Sequence, residues 1–296
     1  MTEWWVKYKG TIPSAGLSFP EDDWLDLRSS AGYKLHTYRY PANNPRALIF
    51  IFHCLHSATS SYSHFAKKFA EQEFAVFGFD QPGHGRSEGP KGNIRDFDDL
   101  VNNGIEFISK TKEHYPDETP AFIIGESMGG TICIDIALRI PTMINGMILL
   151  APALGVNPDL APFLVKLVRC FAWCWSGMPL KGTDPNLACS NPINAQWWEE
   201  NPDTYFGRLN AGTGAALLRG FEEVQDQIGN VTTPFILFQG GHDAIVNEQQ
   251  AREFVKNSKV EDKEYAFYKE MYHAVSNEPQ VYEIIDRILE WIQERV

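Results

Sequence analysis

Apolar residues in this chain come in short unbroken runs, separated by stretches where they recur every three or four positions. Ala47–Phe52, Ala75–Phe79, Ala121–Gly125, Met147–Ala151 and Phe235–Gln239 are such runs. Their length and β-branched or aromatic content predict strands buried on both faces of a sheet. Glu264–Tyr268 reads as a sixth strand. Helical periodicity falls between them, at about Ser61–Glu71, Asp96–His114, Met128–Arg139, Glu248–Asn257 and Val281–Glu294. Ahead of the first core strand, Trp24–Ser29 and Tyr33–Tyr40 flank Ala31-Gly32 and predict a hairpin. Strand–helix alternation of this kind implies a mostly parallel sheet with helices on both faces, an α/β architecture.

The rhythm breaks between Pro152 and about Gly220. That stretch holds no buried-strand run, yet carries four of the eight tryptophans, at 173, 175, 197 and 198. It reads as a helical cap at 152–220, inserted between core segments 1–151 and 221–296. Its most apolar part, Leu160 to Trp175, is interrupted by Lys166 and Arg169, and it falls short of the ~20 residues that a spanning helix needs. The first residues, Met1-Thr2-Glu3-Trp4-Trp5-Val6-Lys7, lack a basic segment followed by an apolar one, so no secretory signal is expected.

Composition narrows the possible partners. With 26 basic and 38 acidic residues the formal charge is −12, which argues against nucleic acid and against electrostatic adsorption to anionic membrane. The five cysteines, at 54, 133, 170, 174 and 189, fit no zinc spacing. They read as reduced thiols and point to the cytosol.

Candidate chemistry centres on Gly125-Glu126-Ser127-Met128-Gly129, a G-x-S-x-G sequence with an apolar strand before it and a helix after it. A serine held on a sharp strand-to-helix turn is a nucleophile once a base takes its proton and a third group orients that base. Asp243 leaves the fifth strand and His273 lies between the sixth strand and the closing helix, which gives the order Ser–Asp–His. Asp262 and Asp286 are the alternative acids. The oxyanion would be met by two backbone N–H groups, that of Met128 and that of Leu55 in His53-Cys54-Leu55-His56.

Taken together, Asp80-Gln81-Pro82-Gly83-His84-Gly85-Arg86-Ser87-Glu88-Gly89, Gly125-Glu126-Ser127-Met128-Gly129-Gly130, Gly241-His242-Asp243 and His273 resemble the monoacylglycerol lipase family of α/β-hydrolases. That family includes lysophospholipase-like and plant shikimate-ester esterase members. The resemblance runs from about Trp24 to the C-terminus and is weakest in the cap. Glu126 before the serine is closer to the plant-like branch than to the animal enzymes, where histidine usually stands. It implies an α/β-hydrolase fold and hydrolysis of a small-molecule carboxylic ester, a lipid monoester above all, with no cofactor and no metal. Esterase, thioesterase or acyltransferase action on a non-lipid acyl group would use the same three residues, and a binding protein that has lost catalysis is a further alternative. One departure is plain: family members usually carry His-Gly-x-Gly at the oxyanion loop, and here Cys54 and His56 replace both glycines. Two readings of the apolar cap run stay open: a cap helix simply packed into the protein, or a lid that lines an acyl channel on one side and rests transiently on a lipid surface on the other, which would give a cytoplasmic protein peripheral membrane contact.

Overall fold

A computed structural model of the protein describes residues 8, 10–155, 175–180, 184–205 and 207–296. Ten strands are found among them: β1 (Glu21–Asp22), β2 (Leu27–Arg28), β3 (Lys34–Leu35), β4 (Thr37–Tyr40), β5 (Leu48–Phe52), β6 (Ala75–Phe79), β7 (Ala121–Glu126), β8 (Gly146–Leu150), β9 (Phe235–Gly240) and β10 (Lys263–Tyr268). The helices are α1 (Ser63–Ala70), α2 (Phe97–Lys112), α3 (Met128–Arg139), α4 (Pro192–Glu200), α5 (Ala211–Gln227), α6 (Glu248–Asn257) and α7 (Val281–Gln293). Eight strands form one sheet in the order β1-β4-β6-β5-β7-β8-β9-β10. The pairings β1–β4 and β4–β6 are antiparallel, and all from β6 to β10 are parallel.

The apolar runs are continuous because each sheet face meets its own helical layer. Leu48, Phe50 and Phe52 of β5, Ile123 of β7 and Leu237 of β9 point to one side, where they pack with Phe97, Val101 and Phe107 of α2, Ile132 of α3 and Phe254 of α6. The alternate residues Ile49, Ile51, Ile124 and Phe238 point to the other, against Phe65 and Phe69 of α1 and Ile284, Ile285 and Ile288 of α7. A strand covered on both faces has no position left for a polar side chain.

The N-terminal hairpin is shorter than its sequence suggests. Only Leu27–Arg28 and Lys34–Leu35 pair there, and the chain then crosses into the main sheet, with Tyr38 opposite Gly78 of β6. Thr37 and Tyr38 are both buried, and the Tyr38 hydroxyl donates to Asp80 at 2.8 Å, a partner that a free-standing hairpin could not supply.

Of the stretch 152–220, residues 156–174, 181–183 and 206 lie outside the described residues, and with them nearly all of the Leu160–Trp175 run, Cys170 and Cys174. Helix α5 runs without a break through position 220. It packs against α2 and α3, its Leu217 and Val224 belong to the same core cluster as residues of those helices, and position 221 lies inside it. Among the described residues, no helix is long and apolar enough to cross a membrane.

Candidate active site

Four parallel strands deliver the candidate residues to one edge of the sheet. His53 follows β5, Ser127 follows β7, Asp243 follows β9 and His273 follows β10. The carboxyl edge of a parallel sheet is where such folds gather their chemistry.

Ser127 sits alone between the last residue of β7 and the first of α3, at φ 55° and ψ −118°. This is strained for a residue with a side chain, and its surroundings hold it there. The Ser127 N–H donates to the Leu150 carbonyl at 2.9 Å, while its own carbonyl accepts from Gly130 at 2.9 Å and Ala153 at 3.0 Å. The flanking glycines are required by space. A Cβ on Gly125 would lie 2.2 Å from the Gly129 carbonyl oxygen, and one on Gly129 would lie 2.1 Å from that of Phe52. The half-buried serine opens onto a cavity that Cys54, Leu55, Glu126 and His273 also line.

Asp243 and His273 form a buried pair, with Nδ1–H of the ring donating to Oδ2 at 2.8 Å. Gln239 Nε2 donates to the same oxygen at 3.0 Å, and the Ile245 and Val246 N–H groups donate to Oδ1 at 2.9 and 3.0 Å. Burial alone would raise the Asp243 pKa, but the His273 charge and these donors hold it below its ordinary value. Burial likewise works against a charged His273, yet the Asp243 and Glu126 carboxylates lift it above the ordinary 6.5. The alternative acids are engaged elsewhere: Asp262 takes the Arg295 guanidinium, and Asp286 lies on α7.

Of the two residues expected to supply oxyanion donors, Met128 opens α3 directly after Ser127, and Leu55 lines the cavity onto which the serine opens. The two replaced glycines behave differently. His56 adopts φ 63°, whereas Cys54 has no positive φ. Only position 56 therefore uses the backbone freedom that glycine offers. Burial pushes the Cys54 thiol up to about 12, which leaves it un-ionised at neutral pH.

Three residues that stand in the motifs but were given no task there build the frame. His53 is buried, and its ring bridges loops: Nδ1–H donates to the Cys54 carbonyl at 2.8 Å and Nε2 accepts from the Gln81 N–H at 2.9 Å. Asp80 accepts from the Tyr38 hydroxyl and the N–H groups of Thr59 and Arg86, all within 2.9 Å. A Cβ on Gly85 would strike that carboxylate at 2.0 Å, which accounts for glycine in the Asp80–Gly89 loop. Glu126, the residue before the serine, is buried and accepts from Tyr62 and Ser276. A charged residue inside an otherwise apolar strand end was the signal for it, since a buried charge needs partners.

Among the described residues, one trio of carboxylates, Asp98, Asp135 and Glu223, brings its oxygens within 4.8 Å of one another. Guanidinium groups already occupy it. Arg139 pairs with Asp135 and Asp98, and Arg219 pairs with Asp98 and Glu223.

A mostly parallel eight-stranded sheet between two helical layers, with a strained serine on the turn after a central strand, is the fold of the α/β-hydrolases. Within that class, a family model described as serine aminopeptidase, S33 matches residues 43–280, and the chain belongs to that family. It is 28% identical over 281 residues to the monoglyceride lipase of Mus musculus, covering 94% of this chain and 92% of the mouse protein. It is 26% identical over 252 residues to the monoacylglycerol lipase of Mycolicibacterium smegmatis, covering 85% of this chain and 90% of the other. The crystal structure of Paleococcus ferrophilus monoacylglycerol lipase superposes with a TM-score of 0.79 at 25% identity, over 88% of this chain and 99% of that one.

Proposed function

We propose that the protein is a serine hydrolase that cleaves a single-chain carboxylic ester, a monoacylglycerol or a close analogue, through an acyl-enzyme on Ser127. The observation that carries this is the buried His273–Asp243 pair at 2.8 Å, with His273 lining the same cavity as a serine held at φ 55°. In this reading Ser127 Oγ attacks the ester carbonyl carbon as its proton passes to His273 Nε2, while Asp243 retains the Nδ1–H bond. The carbonyl oxygen becomes an oxyanion held by the N–H groups of Met128 and Leu55. Collapse breaks the ester C–O bond, and the imidazolium returns the proton to the departing alcohol oxygen. Water then attacks the acyl carbon as it gives a proton to His273, and collapse of this second intermediate breaks the bond to Ser127 Oγ while the imidazolium returns that proton to Oγ, releasing the acid. The cycle balances with the chain's own residues.

The lipid part of the proposal draws on two supports. Relatives named monoglyceride lipase align over nearly the whole chain, and apolar Leu55, Trp198, Ile245 and Ala274 line the cavity beside the serine. The stretch from 152 to the start of α5 is the proposed cap over that cavity. Exposed Trp175, Leu187 and Ile193 give it an apolar surface suited to brief contact with uncharged lipid. The free thiols Cys54, Cys133 and Cys189 fit a reducing compartment such as the cytosol.

A substrate panel on the purified protein tests the reading: monoacylglycerols of several chain lengths, lysophospholipids, short p-nitrophenyl esters and phenolic esters. The expected result is highest kcat/KM on a monoacylglycerol. A preference for phenolic esters would overturn the lipid assignment, and turnover that survives S127A would overturn the mechanism.

A further inference from the structure

Glu126 occupies the one elbow position that the proposed chemistry leaves without a task. It is 3% exposed, and its carboxylate is the meeting point of three segments. Oε2 accepts from the Tyr62 hydroxyl at 2.7 Å and the Ser276 hydroxyl at 2.8 Å. Oε1 accepts from the Ser276 N–H at 2.9 Å. Tyr62 stands on the short helix after the oxyanion loop and in turn accepts from the Cys54 N–H at 3.4 Å. Ser276 lies three residues after His273, on the turn Val275–Asn277. Both hydroxyl oxygens already accept from another donor, Cys54 N–H on Tyr62 and Asn277 Nδ2 on Ser276. Their own protons are therefore free to point at Glu126; burial raises the Glu126 pKa above its ordinary value, and these donors together with the His273 charge work against that rise.

We infer that Glu126 is a positioning residue: its carboxylate ties the histidine loop and the oxyanion loop to the nucleophile elbow and sets a second negative charge, after that of Asp243, close to the His273 ring. This rests on the triad reading above and adds to it. Asp243 orients the ring through Nδ1, and Glu126 fixes the loop that carries the ring while favouring the imidazolium that forms when Ser127 gives up its proton. Cys54, Tyr62 and His64, packed around the clamp, stay neutral near pH 7. Burial lifts the Cys54 thiol to about 12 and the Tyr62 phenol well above its ordinary value. Burial also drops His64, whose Nε2 bonds the Ser276 carbonyl at 2.9 Å, to about 4. Glu278 holds the other side of the loop, accepting from the Tyr272 N–H at 3.3 Å and the Ser190 N–H at 2.7 Å.

Charge and clamp are separable. E126Q removes the anion but retains an oxygen for the Ser276 N–H. Y62F/S276A keeps the carboxyl group but removes two of its three donors. The experiment is the pH dependence of kcat/KM on a soluble short ester, with fluorophosphonate labelling in parallel, for the wild type, both variants and H273A. Loss of the anion lowers the pKa of His273, so the acid limb of E126Q should move to lower pH by about half a unit or more. In Y62F/S276A the plateau kcat should fall about ten-fold through loosened geometry, with an acid limb no lower than that of the wild type. An E126Q limb that superimposes on the wild type would overturn the electrostatic role, and an unchanged plateau in Y62F/S276A would overturn the clamp. An equal downward shift in both variants would show that geometry, not charge, sets the limb. If instead H273A labels as fast as the wild type, it is the triad that fails, independently of Glu126.

Discussion

At the scale of single residues, the site rests on a serine in a backbone conformation that its neighbours impose and a histidine whose basicity its neighbours set. Ser127 and His273 act as one unit in the proposed cycle. S127A and H273A should therefore each cut kcat by about five to six orders of magnitude, and D243N by about four. Steady-state rates and fluorophosphonate labelling check this, and an Asp262→Asn loss larger than that of D243N would displace Asp243 as the acid. The pH profile follows from the direction of the His273 shift. Asp243 and Glu126 raise its pKa above 6.5, and only the neutral ring can accept the serine proton. Activity should thus decline as pH falls through a midpoint above 6.5, and a kcat/KM midpoint below that value would contradict it. The same shift stabilises the fold below pH 6.5, a contribution lost as pH rises through the raised value. Asp243 has the opposite sign: its lowered pKa stabilises the fold above its ordinary 3.8, and that support is lost in acid.

At the scale of elements, the strand–turn–helix from β7 to α3 works because two backbones pass at glycine distance. G129A places a methyl 2.1 Å from the Phe52 carbonyl oxygen, so β5 and α3 would have to separate at the point where the oxyanion loop begins. Folded G129A should lose activity by about 100-fold or more, with a lowered melting temperature. Wild-type kinetics in G129A would show that the elbow tolerates side chains there. The proposed cap makes a separate prediction. L187S/I193S removes two exposed apolar side chains and should weaken flotation with zwitterionic liposomes and hydrolysis of long-chain monoacylglycerol in micelles, while sparing a soluble short ester. Equal loss on both substrates would point to destabilisation, and unchanged flotation would remove the membrane contact. Trp173, Leu164 and Leu167, which belong to the Leu160–Trp175 run, lie outside the described residues.

At the scale of the whole molecule, Asp80 is the joint between the antiparallel margin of the sheet and the edge that carries the candidate site. Its carboxylate collects Tyr38 of β4, Thr59 beyond the oxyanion loop and Arg86 of the glycine-rich loop. Its neighbour Gln81 binds the His53 ring. D80N replaces one acceptor oxygen with a donor that faces donors, so it should cost about 3 kcal/mol. That would appear as a lowered urea midpoint with unchanged slope. A midpoint equal to the wild type's would mean that Asp80 is only a spectator of the loop.

Much of this molecule follows from contiguous residues. Unbroken apolar runs such as Leu48–Phe52 and Phe235–Phe238 required a sheet covered on both faces, and α6 begins and ends where its periodicity does. The chain order Ser127, Asp243, His273, each after its own strand, was legible because parallel strands carry their exits to one edge. Other features depend on contacts that no local window contains. Thr37–Tyr40 left its hairpin because Tyr38 had a buried partner 42 positions away. Left-handed backbone at His56, but not at Cys54, followed from how the oxyanion loop packs and not from which residue types it holds. The continuation of α5 past 220 goes with its packing against α2 and α3, where Leu217 and Val224 join the core cluster. Glu126 shows the limit most clearly. A buried charge needs partners, but Ser276 lies 150 positions along the chain, and only the closing of the sheet brings the two within hydrogen-bond reach. Periodicity belongs to neighbours in sequence, whereas the satisfaction of a buried charge belongs to neighbours in space.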